Sequence, residues 1–143
     1  VEVRFKMSKV DERMSSLLKA IFQNWPNPLK EKKSAKITIE QGKILNFLGE
    51  GDPTHFTVLA STDNFTIGIS KLIPGARYFA SIHKNSDEFY YLLSGTLTVL
   101  INDVDSYDVK EGESFLIAAG DKHEVFNFTD KMCVVLFCIA PEL

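Results

Sequence analysis

From residue 35 onward the chain is cut into short β-favouring runs by turn-forming residues, and this pattern restricts it to an all-β fold. The runs are Ile37–Ile39, Ile44–Leu48, His55–Ala60, Phe65–Ile73, Tyr78–His83, Glu88–Leu93, Thr96–Ile101, Ser106–Val109, Ser114–Ile117, His123–Phe128 and Met132–Ala140. Between them fall Gly49 to Pro53, Thr62-Asp63-Asn64, Pro74-Gly75, Asn102-Asp103 and Gly120-Asp121. Such residues reverse a chain because they preset φ, tolerate left-handed backbone or bond their own main chain. Many short strands at this spacing read as a sandwich or a barrel.

Residues 8–25 show a different period. Met14, Leu17, Leu18, Ile21, Phe22 and Trp25 recur at spacings of three and four after a capping-box-like Ser8 and Asp11, the pattern of an amphipathic helix. Pro26 and Pro28 end it, because proline cannot continue the helical ladder. The expected organisation is therefore residues 1–34 as an N-terminal helix and connection packed on the barrel, and 35–143 as the barrel domain.

Charge narrows the partners. Lysines and arginines number 16 against 19 acidic residues, for a formal charge of −3, so a clustered basic surface for nucleic acid is not expected. No apolar run reaches the ~20 residues that span a bilayer, and no secretory leader is visible. Cys133 and Cys138 lie five apart in one β-like run, so they point to opposite faces and do not readily bridge. Free thiols without a leader suit the cytoplasm.

Two glycine-bounded segments carry the chemistry. The first runs from Gly75 through Ser81, His83 and Glu88 to Gly95, and the second from Gly112 through Ala118, Gly120 and His123 to Asn127. Their spacing resembles the cupin signature, G-x5-H-x-H-x3,4-E-x6-G followed by G-x5-P-x-G-x2-H-x3-N. Ser81 stands where the first histidine belongs, and Ala118 where the proline belongs. The resemblance implies a double-stranded β-helix, a jelly-roll barrel with the N-terminal helix outside it. It also implies a metal at the matching positions His83, Glu88 and His123.

Residues two apart in a strand share a face. Ser81 and His83 are thus expected to point together, with Arg77 and Phe79 joining them if the strand is regular. Two imidazoles and a carboxylate suit divalent Fe, Mn, Ni, Co or Zn. Ser81 is a poor ligand but can bond a metal-bound water. Phosphomannose isomerases, which also resemble the cupin pattern, likewise lack the first histidine. Tyr90 shares a face with Glu88 and is a candidate acid or donor. Arg77, Phe79 and Phe115 are candidate substrate contacts, Arg77 through a fork suited to carboxylate or phosphate. His55 lies outside both segments, and Asn127 and the motif glycines are expected to serve turns and close packing.

The functional expectation is a metal-binding barrel that takes a small-molecule substrate or ligand, with isomerase- or lyase-like chemistry on a sugar or small acid. An Fe(II) dioxygenase is the alternative enzyme. A non-catalytic binding or sensing barrel is the alternative of another class. A homodimer is the expected assembly, since cupins commonly dimerise and the N-terminal elements offer apolar faces.

Overall fold

The structure, a computed structural model, describes residues 34–47 and 54–141. The expected helix over residues 8–25 lies outside the described residues. Among the described residues the chain forms ten antiparallel strands. These are β1 (Lys43–Phe47), β2 (Thr54–Ser61), β3 (Thr66–Leu72), β4 (Arg77–Ser81) and β5 (Asp87–Ser94), then β6 (Thr96–Ile101), β7 (Asp105–Lys110), β8 (Ser114–Ile117), β9 (His123–Phe126) and β10 (Cys133–Ala140).

They form a six-stranded sheet of order β1-β2-β3-β10-β5-β8 and a four-stranded sheet of order β4-β9-β6-β7. Non-sequential neighbours in both sheets are the mark of a jelly roll, in which the chain crosses repeatedly from one sheet to the other. The strand runs expected from Ile44 onward all appear, with ends shifted by a residue or two. The run at Ile37–Ile39 does not. A single 3-10 turn, Ile39–Gln41, stands there instead, and the Gln41 side chain accepts the Thr38 N–H at 2.8 Å. Thr38, Gln41 and Gly42 thus cap a turn where the apolar pattern alone suggests a strand.

The two sheets press their inner faces together. Exposure alternates along β5 and β10, as it must when one face packs on a core and the other does not. Leu72, Leu92, Leu97, Val99 and Val135 are at most 2% exposed and fill the space between the sheets. Each such side chain contributes roughly 1.5–3 kcal/mol of burial.

Close approach of neighbouring segments demands a glycine in two places. Gly68 faces Phe137 across β3 and β10, and a Cβ there would meet the Phe137 ring at 2.7 Å. Gly95 turns β5 into β6 with φ of 80°, and its Cβ would lie 2.8 Å from the Met132 carbonyl oxygen. The β6–β7 turn instead uses Asn102 and Asp103 at φ of 51° and 61°, residue types that tolerate this region better than most.

Candidate metal centre

Glu88, His83 and His123 come together inside the barrel from three different elements. Glu88 is the second residue of β5, with Tyr90 and Leu92 on the same buried face. In register it is flanked by Ile139 of β10 and Ile117 of β8. His123 opens β9, buried opposite Ile101 of β6 and Ser81 of β4. His83 lies just past the end of β4, in the connection to β5.

The sequence suggests one strand carrying Ser81 and His83 with Arg77 and Phe79 alongside. The structure differs in two ways. The strand stops at Ser81, so His83 is held by loop contacts: its carbonyl accepts the Gly120 N–H at 2.8 Å. Between Tyr78 and Ser81 the pairing with β9 also shifts, from Tyr78 opposite Val125 to Ser81 opposite His123. That bulge inserts one residue and reverses the alternation. Tyr78, not Arg77, therefore shares the inner face with Ser81. Arg77 is exposed and paired with Phe126 on the outer face. Phe79 sits within β4, and its side chain lies outside the described residues.

The geometry of the three ligand-type residues is tight. His123 Nε2 lies 2.9 Å and His83 Nε2 3.2 Å from the same atom, Glu88 Oε2. All three ligand atoms fall within 4.8 Å of one another. Yet Oε2 is fully buried and has no aligned hydrogen bond. Ligands held at ~2.1 Å from one first-row ion are about 3.0–3.4 Å apart. The two contacts to Glu88 are close to this, and a small inward movement of the histidines would bring the 4.8 Å spread of the three atoms within it. The donor set and the orphaned oxygen both fit a divalent transition metal.

The His123 ring has a defined orientation. Its Nδ1 lies 3.3 Å from the Asp121 carbonyl, and a carbonyl can only accept, so Nδ1 carries the proton and Nε2 turns its lone pair inward. A lone pair facing a carboxylate is unfavourable unless a proton or a cation lies between them. Burial opposes ionisation of Glu88, but the two imidazoles outweigh it and hold the carboxyl below its usual range. Burial likewise lowers the His123 pKa, but Glu88 and then Asp121 outweigh it and raise the value. The cluster therefore favours net positive charge beside Glu88.

Around it, Tyr90 is buried, and its phenol is pushed far above the ordinary value by burial and then by the Glu88 charge. It stays protonated at any ordinary pH. Phe115 lies across from Tyr90 in the β5–β8 pairing and packs against the core. His83 is the most open of the three, with 19% of its side chain exposed against 8% for Glu88 and 6% for His123. The centre is therefore nearest to solvent on the His83 side.

Asn102 and Asp87 also serve the site, although as sequence they signal only a turn and a strand start. Asn102 accepts the Lys122 N–H at 3.0 Å and donates to Asp121 at 3.1 Å. Asp87 accepts the Ala119 N–H at 2.8 Å. Together they pin the 118–122 loop that delivers His123. Asn127 is fully buried and donates to the Leu72 and Lys131 carbonyls while accepting from Thr129, a structural assignment. His55 lies on β2 opposite Lys71, outside the cluster. Both cysteines are free, Cys133 buried and Cys138 half-buried. Among the described residues no helix is long and apolar enough to cross a membrane.

A two-sheet jelly roll with two imidazoles and a carboxylate converging inside defines a class of small barrel proteins with a metal-type pocket. The chain belongs to the Cupin_2 family, whose model, described as a cupin domain, matches residues 68–139. Solved structures share the fold. A predicted oxalate decarboxylase from Thermotoga maritima is 18% identical, with a TM-score of 0.67 over 75% of this chain and 99% of that one. KdgF from Halomonas sp. is 14% identical, with a TM-score of 0.66 over 78% and 96%. A sugar phosphate isomerase of the cupin superfamily from Silicibacter pomeroyi is 19% identical, with a TM-score of 0.64 over 74% and 75%. At these identities the likeness concerns the fold alone. A comparison with curated proteins finds no match.

Proposed function

We propose that this protein is a metal-dependent enzyme of isomerase or lyase type, acting on a small polar molecule such as a sugar or small acid. The observation that carries this reading is Glu88 Oε2, buried between two imidazole nitrogens and without an aligned hydrogen bond. In this reading His83, Glu88 and His123 hold one ion of Fe, Mn, Ni, Co or Zn. Such an ion supplies a Lewis acid that polarises a substrate oxygen. Ser81, opposite His123, offers a hydroxyl to a substrate oxygen or water. Tyr90 keeps its proton and serves as donor, while Phe115 forms part of the apolar wall. The buried setting strengthens each of these contacts.

Redox-neutral chemistry is preferred over a dioxygenase because Arg77, the residue suited to anchor a substrate carboxylate, faces outward. Metal analysis of untagged protein is the first test, with about one transition metal per chain expected. His83→Ala lowers that content, and an unaltered content overturns the ligand assignment. Deuterium uptake from D2O into candidate sugars and acids, without oxygen consumption, then supports isomerase chemistry. A tightly held small molecule with no exchangeable metal identifies a binding barrel instead.

A further inference from the structure

The metal-type cluster has two unlike flanks. On one side β4 lies over β2 and β3: the Tyr78 ring is 4.8 Å from that of Phe56, and its phenol donates to the Lys71 carbonyl at 3.3 Å. On the other side β7 lies over β8, where the Tyr107 and Phe115 rings are 5.1 Å apart. Following the register away from Glu88 and His123 gives the side chains at their level. Toward β6 and β8 these are Ile101 and Ile117. Toward β2, β3 and β4 they are Ser81 and, past Ile139, Thr66 and Ser61. One flank is apolar and the other carries three hydroxyls.

Ser61 and Thr66 are the unusual members. They are 5% and 1% exposed, and burying a hydroxyl costs free energy unless its bonds are replaced. Apolar side chains of the same size would avoid that cost. The two oxygens lie 2.8 Å apart. Their mutual bond uses one of the pair's two hydroxyl protons, so the pair keeps a second proton to donate and lone pairs to accept with. Cations are not part of this wall. Among the described residues no lysine or arginine is buried. Lys122, next to His123, is held by both Asp103 oxygens at 2.9 Å, and Lys84, next to His83, is exposed. A phosphate or carboxylate against this flank would meet hydroxyls without the guanidinium or ammonium such groups favour.

We propose that the substrate is a neutral polyhydroxy compound, an unphosphorylated sugar or alditol, with one oxygen at the metal and further hydroxyls bonded to Ser61 and Thr66. This rests on the metal-enzyme reading above and narrows it from sugars and small acids to the neutral class. Two strand spacings, roughly 10 Å between backbones, separate Glu88 from Thr66. Side chains reach into that interval from both ends and leave a distance that a small sugar spans. A site built to bond substrate hydroxyls rejects analogues that lack them, because its own buried groups are then left unpaired.

Calorimetric titration of the Mn(II)-loaded full chain with pentoses, hexoses and alditols, and with their phosphate esters and aldonates, tests this. At least one neutral compound should bind roughly tenfold or more tighter than its own phosphate ester and aldonate. Ser61→Ala/Thr66→Val should weaken that binding by a similar factor while metal content is unchanged. Both hydroxyls leave together and no partner is orphaned, so the melting temperature should hold. Thr66→Ser keeps a hydroxyl and should keep the binding. Tighter binding of the phosphate ester or aldonate overturns the proposal, as does an unchanged preference in the double variant. Normal metal uptake with no neutral compound bound overturns the substrate class alone, whereas failure to take up metal overturns the metal reading beneath it as well.

Discussion

His123 Nε2 and Glu88 Oε2 lie 2.9 Å apart in the barrel interior, with neither side chain more than 8% exposed. With no cation between them, the carboxylate depends on this neighbour. In chelator-treated protein, His123→Ala should therefore cost about 3 kcal/mol, because it leaves a buried charge with only His83 beside it. Glu88→Gln removes the charge itself and should cost clearly less. Urea unfolding of the two variants checks the order, and equal losses would mean that the pair is not an ionic one.

The pH dependence has two edges. Glu88 is lowered from 4.5, so its contribution is complete above pH 4.5 and fades as pH falls through the folded value. His123 is raised from 6.5, so its contribution is complete below pH 6.5 and fades as pH rises through the folded value. Metal-free protein should gain most from the pair between those limits. Coordination needs the unprotonated ring, so the rise in Tm on adding Zn or Mn should be larger at pH 8 than at pH 6. Thermal melts with and without metal measure it, and a pH-independent rise would contradict His123 as a ligand.

Ser81 faces His123 directly across β4 and β9. Ser81→His should add an imidazole to the cluster and tighten metal binding by tenfold or more, about 1.4 kcal/mol. Competition against a chelator of known affinity gives the number. Unchanged affinity would show that position 81 does not reach the ion.

Asn102 acts on the centre through the 118–122 loop. Asn102→Ala removes its side-chain bonds to Asp121 and Lys122 and should weaken metal binding tenfold or more, as losses around metal ligands do. The change in overall stability should stay at about 1–2 kcal/mol, from the left-handed backbone at Asn102 and the loss of exposed bonds. Isothermal titration beside urea unfolding separates the two effects.

Gly95 and Gly112 share φ near 80° but differ in surroundings. A Cβ at Gly112 meets nothing within 4 Å, whereas one at Gly95 meets the Met132 backbone. Gly112→Ala should cost roughly 1–2 kcal/mol of backbone strain. Gly95→Ala should cost about 1–3 kcal/mol more for overpacking. Matching unfolding midpoints for the two variants would remove the close-packing role of Gly95.

Much of the barrel was legible in the chain. Alternation in β5 and β10 marks their inner faces directly, since a strand's side chains alternate whatever it pairs with. The match to the cupin signature also marked His83, Glu88 and His123 as candidate ligands, although three strands, β6 to β8, separate Glu88 from His123. Three things were not legible. The strand expected at Ile37–Ile39 is a capped turn, a local competition that apolar pattern does not resolve. The loop contacts of Asn102 and Asp87 link distant segments and leave no local signal.

The third is the side of β4 that faces inward. The sequence by itself determined an all-β fold for the described residues, the candidate ligand residues and the places where the backbone must turn. Tertiary structure alone decided that Tyr78 joins Ser81 inside while Arg77 turns out. It decided too that a loop rather than a strand presents His83. The reason is register: a bulge exists only relative to a partner strand, and β9 lies too far along the chain for local pattern to report it.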